Sequence, residues 1–191
     1  MRNQEKKILA FGHRQETGKS SATRFLTSEL RIEHKGINII QAGFADKVKD
    51  VAYQLFSWAG LQPGSYYETN YKLKNEILPA IGKTPRQLWI GVGNGIRQAT
   101  GHDDTWLDYL IHNIKADILI IYDLRFPAEA EGIKKHGGYI FRIDRDAAPK
   151  YDDGADDPLA DYTGWTGIIE NNGSLNDLHK KIVQLKETYF A

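Results

Sequence analysis

Cysteine is absent from the sequence, which excludes disulfides, thiolate zinc sites and thiol catalysis. An excess of charge is absent too, because 25 lysine and arginine residues balance 25 aspartate and glutamate residues. No global field would therefore hold the chain on nucleic acid or on an anionic membrane. No segment approaches the ~20 apolar residues that span a bilayer, and the N-terminal apolar run is too short for a signal peptide. We expect a cytoplasmic protein that binds neither nucleic acid nor membranes.

The 191 residues instead show short apolar runs that alternate with amphipathic helical stretches. This alternation predicts an α/β fold with a five-stranded parallel sheet and helices on both of its faces. The length suits a single domain over residues 1–191 rather than two independent cores. The predicted strands cover residues 7–11, 37–42, 117–123, 138–143 and 166–170, and the predicted helices begin near residues 19, 48, 84, 126 and 174.

A polar, acidic and turn-rich segment separates the fourth and fifth predicted strands. It is too long for a simple connection, and such segments in α/β enzymes are often lids that close over a ligand. We therefore predict an inserted lid at about residues 146–165, without assigning a function to any residue inside it.

The segment "AFGHRQETGKSS", residues 10–21, ends like a Walker A phosphate loop, G-x-x-x-x-G-K-[ST]. It follows a predicted strand and opens a predicted helix, so its backbone N–H groups would point at phosphates. Lys19 would reach the β- and γ-phosphates, and the Ser20 hydroxyl would bind magnesium. Gly12 stands one place too early, so either the loop is one residue longer or His13 occupies the usual glycine position. The alternative is an ordinary strand–helix turn with an exposed lysine.

The third predicted strand contains "ILIIYD" and ends in Asp123, an acid placed to hold magnesium or its water. The alternative is that Asp123 only caps the next helix. Arg125 lies two residues further on and points to the same side in an extended chain. A cation and an acid at the carboxyl end of a strand lie where ligands bind in open α/β sheets.

Another candidate region begins at residues 84–87, which combine an N-cap threonine, a first-turn proline and a capping glutamine. Arg86 and Arg97 lie within about 20° of each other on the helical wheel, with Gly93 on the same line. We predict that this face binds an anion; the alternative is a solvated polar face with incidental arginines. Three glycines in the segment either serve a close approach or mean that the helix is broken there. The residues predicted to face the core are Leu88, Val92, Ile96 and Ala99.

Five blocks of the sequence carry a family resemblance. They are Gly18-Lys19-Ser20, "FADKVKDVAY", "TPRQLWIGVGNGIRQ", "DLRFPAEAEGIKKHGGYIFRIDR" and "IIENNGSLNDLHKKI". In this order, and across most of the chain, they resemble the bacteriophage deoxynucleoside monophosphate kinases, which move the γ-phosphoryl group of ATP to deoxynucleoside 5′-monophosphates. The resemblance implies a P-loop kinase fold with a mobile lid, ATP and Mg²⁺ as ligands, and a helical monophosphate-binding region at about residues 43–115.

The resemblance also implies a function for most of the candidate residues. ATP would bind at Arg14, Thr17, Gly18, Lys19, Ser20, Ser21, Asn172 and Gly173. The acceptor nucleotide would be held by Lys47, Arg86, Arg97, Trp106, Asp123, Arg125 and Glu129. Catalysis would depend on Lys19, Arg125, Arg142 and Arg145, and magnesium binding on Ser20 and Asp123. Trp106 is the aromatic residue that we expect to stack on the base, the alternative being a position in the core.

Two other functions stay open from the sequence. One is a different small-molecule P-loop kinase, whose arginine face holds another anionic acceptor. The other is a nucleotide-dependent switch or binding module, which needs no acceptor pocket, so the arginine-bearing helix and the long lid favour a kinase. We expect small-molecule nucleotides as partners, leave a homodimer open, and expect the host cytoplasm as the location if the source is viral.

Overall fold

The computed structural model describes residues 6–148 and 158–190, so that residues 149–157 of the predicted lid lie outside it. The chain forms two compact units, one made of Met1–Gly43 with Tyr109–Ala191 and the other of Phe44–Asp108. No helix in the described residues is long and apolar enough to cross a membrane. The strands are β1 (Lys7–Gly12), β2 (Ile39–Ala42), β3 (Ile118–Leu124), β4 (Tyr139–Asp144) and β5 (Gly167–Glu170). The helices are α1 (Lys19–Glu33), α2 (Phe44–Phe56), α3 (Tyr66–Thr69), α4 (Pro85–Thr100), α5 (Thr105–Asn113), α6 (Pro127–Lys135) and α7 (Leu175–Tyr189), with 3₁₀ helices at Ser57–Ala59 and Tyr71–Asn75.

The five strands of the first unit form one parallel sheet in the order β2-β3-β1-β4-β5. The predicted five-stranded parallel sheet is therefore confirmed. Its central strands are nearly continuous apolar runs, as expected of strands that are covered on both faces. Since all strands run in the same direction, their carboxyl ends meet at one edge of the sheet.

Helices cover both faces of this sheet. On one face Leu9 and Phe11 of β1 belong to a buried cluster with Leu26 of α1 and residues of α7. On the other face α6 packs closely, because a Cβ placed on Gly138, just before β4, would lie 2.6 Å from the side chain of Ile133. The predicted arrangement of helices on both faces is confirmed.

The second unit has a core of its own, although the sequence predicted one core for the chain. Ala52 of α2, Leu61, Tyr67 and Leu88 of α4 form its buried cluster. Helix α4 begins at the predicted cap: the Gln87 N–H donates to Thr84 Oγ1 at 3.1 Å, and the Thr84 N–H donates to Gln87 Oε1 at 3.0 Å. The helix then continues unbroken through its three glycines.

The face of α4 that carries Gly93 is covered at its centre by other helices of the same unit. Gly93 is buried, and a Cβ placed there would lie 3.6 Å from the side chain of Val48 on α2. The indole N–H of Trp106, on α5, donates to the Gly93 carbonyl at 3.2 Å. The close approach that this glycine permits is thus made by neighbouring helices. The prediction of Ala99 as a core position is wrong, because Ala99 is exposed in the last turn of the helix.

Leu26 tests the packing of the first unit. Its side chain is fully buried in the cluster between α1 and the sheet, so Leu26→Ala should lower the free energy of unfolding by about 2–5 kcal/mol. Ile32 lies on the same helix but is 67% exposed, and Ile32→Ala should change it by less than about 0.5 kcal/mol. Urea denaturation of both variants measures the difference. Equal losses would contradict the packing described for α1.

Candidate phosphate-binding site

The register of the central strand β1 brings the candidate residues of the first unit to one edge of the sheet. Gly12, at the end of β1, lies opposite Leu124 of β3 on one side and opposite Arg142 of β4 on the other. The loop that follows Gly12 therefore begins beside the end of β3, which carries Asp123, and beside the end of β4. This edge is where ligands bind in open α/β sheets.

The backbone conformation of His13 indicates whether the loop is one residue longer than usual or has His13 at the usual glycine position. His13 has a φ of +92°, a left-handed conformation that glycine adopts readily and other residues adopt at a cost of about 1–3 kcal/mol. Counted from His13, the loop has the four residues before Gly18 that the Walker A pattern requires. The structure thus favours a loop of ordinary length in which His13 occupies the glycine position.

The start of the loop is tied to β4. His13 is 6% exposed, and its Nδ1 lies 2.8 Å from Asp144 Oδ1 at the end of that strand. The same carboxylate oxygen accepts a hydrogen bond from Arg142 Nε at 2.7 Å. A charged acceptor makes the hydrogen bond from Arg142 shorter and stronger than a neutral one, whereas His13 Nδ1 lies at ion-pair distance from the same oxygen without making a hydrogen bond.

The end of the loop is tied to β5. Asn171, the residue that follows this strand, is buried and donates its side-chain amide to the Thr17 carbonyl at 2.8 Å. Gly18 has a φ of +108°, and a Cβ placed there would lie 2.4 Å from Asn171 Nδ2. Both the dihedral angle and the contact therefore require glycine at position 18.

Lys19 and the first turn of α1 complete the loop. The Lys19 ammonium donates to the His13 carbonyl at 2.9 Å and also to the Arg14 carbonyl, so it lies over the start of the loop. The first N–H groups of a helix have no acceptor within the helix. Helix α1 therefore directs donors and the positive end of its dipole toward the loop, an arrangement suited to phosphate. Ser20 is exposed in this first turn, and Ser21 is half-buried.

Asp123 lies against the backbone at the end of β2. A Cβ placed on Gly43 would lie 2.7 Å from Asp123 Oδ2, so only glycine at this position permits the close contact between the backbone and the carboxylate. The side chain of Asp123 is half-buried, whereas Arg125, two residues further on, is exposed. A carboxylate at this edge of the sheet is an oxygen ligand of the kind that magnesium binds.

Glu129 stabilises the turn after β3, although the sequence predicted that it binds the acceptor. Its side chain is 3% exposed, and Oε2 accepts the N–H groups of Arg125 at 3.1 Å and of Phe126 at 3.2 Å. These bonds cap the N-terminus of α6. The position of Arg125 therefore depends on Glu129.

The last part of the predicted lid, residues 158–165, folds onto the first unit. Tyr162 donates its hydroxyl to Glu131 of α6 at 2.5 Å and packs edge-to-face on Trp165 with 5.4 Å between the ring centroids. Burial and the hydrogen bond to Glu131 raise the pKa of Tyr162 above its ordinary value. A Cβ placed on Gly12 would lie 2.7 Å from the Trp165 ring, so Trp165 covers the beginning of the phosphate loop.

The residues predicted near the adenine form a turn before α7. Asn172 donates its side-chain amide to Asp146 at 2.8 Å and accepts the Asp146 N–H at 2.8 Å. Asn172 and Gly173 are exposed, and Ser174 caps α7 by accepting the N–H of Asp177 at 3.2 Å. The hydrogen bonds from Ser174 lower the pKa of Asp177.

In the second unit the predicted acceptor residues have unequal exposure. Lys47 of α2 and Arg86 and Arg97 of α4 are half-buried. Trp106 is only 5% exposed, and its N–H is bonded to the Gly93 carbonyl. The ring therefore belongs to the packing of this unit, which agrees with the core alternative rather than with base stacking.

Sequence reasoning missed Asp144 and Trp165, and it gave Asn171 no contact with the loop. Asp144 could have been found, because Arg142 and Asp144 alternate onto one side of a predicted strand and end at the ligand-binding edge. No local signal pointed to the other two residues, whose contacts with Thr17 and Gly12 join opposite ends of the chain.

Comparison with known proteins finds kinases over most of the chain. The sequence is 24% identical over 182 residues to a protein of Acanthamoeba polyphaga mimivirus named "Putative deoxynucleotide monophosphate kinase", with 87% of this chain and 89% of that protein covered. Shikimate kinase from Aquifex aeolicus VF5 is similar in structure with a TM-score of 0.43 and 14% identity, over 95% of this chain and 96% of that one. Shikimate kinase from Acinetobacter baumannii in complex with shikimate gives a TM-score of 0.40 and 14% identity, over 98% and 96%. No protein-family model matches the sequence.

Gly18 tests the loop geometry against a matched glycine. Gly36 also has a positive φ, +90°, but a Cβ there would meet nothing within 4 Å. Gly36→Ala should therefore lower the free energy of unfolding by only the dihedral cost, about 1–3 kcal/mol. Gly18→Ala adds the clash with Asn171 and should cost at least about 1 kcal/mol more.

Urea denaturation measures both glycine variants, and Gly18→Ala combined with Asn171→Ala serves as the control. The double variant removes the clashing amide and should recover part of the difference. An equal cost for Gly18→Ala and Gly36→Ala would mean that Asn171 does not support the loop as described.

Proposed function

We propose that this protein is an ATP-dependent kinase that transfers the γ-phosphoryl group to the 5′-phosphate of a deoxynucleoside monophosphate. The observation that carries the proposal is the loop after β1, with left-handed backbone at His13 and Gly18 and with Lys19 folded over it. This is the geometry that binds the phosphates of a nucleotide at the start of a helix. The similarity to the mimivirus protein named as a deoxynucleotide monophosphate kinase supports the choice of acceptor.

The loop and α1 would bind the ATP phosphates. Backbone donors of residues 14–18 and the helix dipole would hold the β-phosphate, with Thr17, Gly18 and Ser21 as its neighbours. Lys19 would exchange its backbone carbonyl partners for the β- and γ-phosphate oxygens. The turn that carries Asn172 and Gly173 would hold the adenine.

Magnesium would be held by Ser20 and Asp123. The exposed hydroxyl of Ser20 and the half-buried carboxylate of Asp123 are oxygen ligands that suit an ion which keeps several of its water ligands. When bound, the ion would neutralise charge on the β- and γ-phosphates.

Cations would stabilise the charge that moves during the transfer. The transition state of phosphoryl transfer is loose, so the protein must align the two phosphates and place positive charge around them. We assign this function to Arg125 after β3, and to Arg142 and Arg145 at the end of β4. The acceptor phosphate is already an anionic nucleophile, so the reaction needs no strong general base. Closure of the lid would exclude water.

The acceptor would be bound by the cations of the second unit. Lys47, Arg86 and Arg97 are half-buried, and partial burial strengthens the attraction of an arginine for a phosphate. The arginine fork binds a phosphate through two parallel hydrogen bonds.

Lys19 tests the nucleotide chemistry. ADP formation from Mg-ATP is measured with each of the four deoxynucleoside monophosphates, and at least one of them should stimulate it. Lys19→Ala should lower kcat by at least about 10³-fold, because the cation that neutralises the transferring phosphoryl group is lost. Lys35→Ala is the matched control, since Lys35 is an exposed lysine just after α1, and it should leave the rate unchanged.

The pattern of stimulation decides between the candidate functions. Nucleotide binding with turnover stimulated only by another small anionic acceptor would identify a different kinase. Nucleotide binding with slow hydrolysis and no effect of any acceptor would contradict the kinase and favour a nucleotide-dependent switch. Equal turnover by the wild type and Lys19→Ala would show that the loop is not the catalytic site.

Arg86 and Arg97 test the acceptor site. Alanine at either position should raise KM for the acceptor by about 10-fold or more, because each arginine would lose a charge-assisted contact with the monophosphate. KM for ATP should change little. Lys83→Ala, at an exposed lysine just before α4, is the control for a general loss of positive charge. If both arginine variants keep the acceptor KM and kcat of the wild type, the acceptor is bound elsewhere.

A further inference from the structure

Asp144 contacts the start of the phosphate loop, the arginine beside it, and the residue that holds the end of the loop. Its Oδ1 lies 2.8 Å from His13 Nδ1 and 2.7 Å from Arg142 Nε. Its carbonyl accepts the N–H of Asn171 at 2.7 Å, and the Asn171 side chain in turn holds the Thr17 carbonyl. Asp144 therefore takes part in both supports of the loop. Its carboxylate contacts His13, and its carbonyl holds Asn171, which bonds to Thr17.

His13 depends on such a support because of its backbone. A residue other than glycine persists at a φ of +92° only where its surroundings hold it there. The His13 side chain is 3% exposed, and its Nδ1 lies 2.8 Å from the Asp144 carboxylate, an ion-pair distance without hydrogen-bond geometry. Release of this contact would let the backbone relax and would move the His13 carbonyl, which accepts a hydrogen bond from Lys19 at 2.9 Å. The position of Lys19 is thus linked to Asp144.

Arg142 is held in a way that leaves it able to bind an anion. A guanidinium group has five N–H donors, and the contact with Asp144 uses the one on Nε. The contact fixes the orientation of the half-buried side chain and leaves the two terminal amino groups as donors. A planar fork held at its base binds phosphate with less loss of conformational entropy than a free side chain.

We propose that Asp144 is the positioning residue of this site, which holds the phosphate loop through His13 and orients Arg142 toward the phosphoryl group. The part that concerns Arg142 rests on the proposed kinase function. The part that concerns the loop requires only that the loop binds a nucleotide. One carboxylate would then set both the geometry of the nucleotide and the position of the cation that acts on it.

A double-mutant cycle between His13 and Asp144 tests the loop part. The dissociation constant of Mg-ADP is measured by calorimetry for the wild type, Asp144→Asn, His13→Gly and the double variant. Asp144→Asn should weaken binding by about tenfold. Glycine adopts a positive φ without a supporting contact, so His13→Gly should bind Mg-ADP within about threefold of the wild type. In the His13→Gly background Asp144→Asn should then have less than about a twofold effect.

The turnover of Asp144→Glu tests the part that concerns Arg142. This variant keeps the negative charge but moves the carboxylate by one methylene group. The measurement is made in the His13→Gly background, where the loop needs no support. A positioning function requires kcat to fall there by about tenfold or more, and the same change should have little further effect once Arg142 is also replaced by lysine, because lysine lacks Nε. A purely electrostatic function of Asp144 would leave kcat in that background close to that of His13→Gly alone, and this result would overturn the proposal.

Stability is controlled with Asp117→Asn. Asp117 Oδ2 accepts the Asn38 N–H at 2.8 Å at the other end of the sheet, so this variant removes the charge from a hydrogen-bonded carboxylate without touching the loop. It should lower the unfolding midpoint and leave the Kd of Mg-ADP unchanged. If Asp144→Asn does not fold, the Asp144→Glu measurements and His13→Gly carry the test, since a Kd for His13→Gly more than tenfold weaker would contradict the supporting function of Asp144.

The outcomes separate this proposal from the kinase proposal. An equal effect of Asp144→Asn in both His13 backgrounds would overturn the coupling, whatever the acceptor. Mg-ADP binding with the expected coupling but with no acceptor-stimulated turnover would support the loop part and contradict the kinase. A wild type that does not bind Mg-ADP would overturn both.

Discussion

The pairing of Gly12 at the end of β1 is the constraint on which the rest of the site depends. Parallel neighbours flank this central strand, with Leu124 of β3 on one side and Arg142 of β4 on the other. A slip of one residue would move each side chain of the strand to the opposite face of the sheet, and because both faces are packed under helices, this packing fixes the register. With the register fixed, the loop, Asp123 and the pair of Arg142 and Asp144 all lie at one edge of the sheet.

Most of the fold was predictable because its signals are local. Apolar runs gave the five strands, and the capping residues Thr84 and Gln87 gave the start of α4. The predictions failed where tertiary packing decides. Helix α5, Thr105–Asn113, is short and was not predicted. Ala99 fits the apolar stripe of α4 by its spacing, yet it is exposed in the last turn of the helix. Trp106 is buried, with its indole N–H bonded to the Gly93 carbonyl, and so it is not placed to stack on a base.

The motif residues of the candidate site could be found in the sequence, whereas the residues that hold the loop in place could not. The Gly-Lys-Ser sequence predicted functions for Lys19 and Ser20, since a phosphate loop needs those residue types in that order, and the structure places both at the start of α1. The sequence left two interpretations of His13, and only its φ distinguishes them. The supports from Asp144 and Asn171 are contacts between segments far apart in the chain, which periodicity and spacing do not report.

The contact between Asn171 and Thr17 joins residues 154 positions apart. The triad Gly18-Lys19-Ser20 is synthesised before both supports of its loop, which lie at the ends of β4 and β5. Parallel strands can pair only through long crossovers, and pairing across such distances is slow. The loop therefore reaches its final shape only after β4 and β5 have joined the sheet. A nascent or prematurely terminated chain that lacks Asn171 contains the Gly-Lys-Ser motif, but it lacks the contact with Thr17 that holds the loop in the shape proposed to bind a nucleotide.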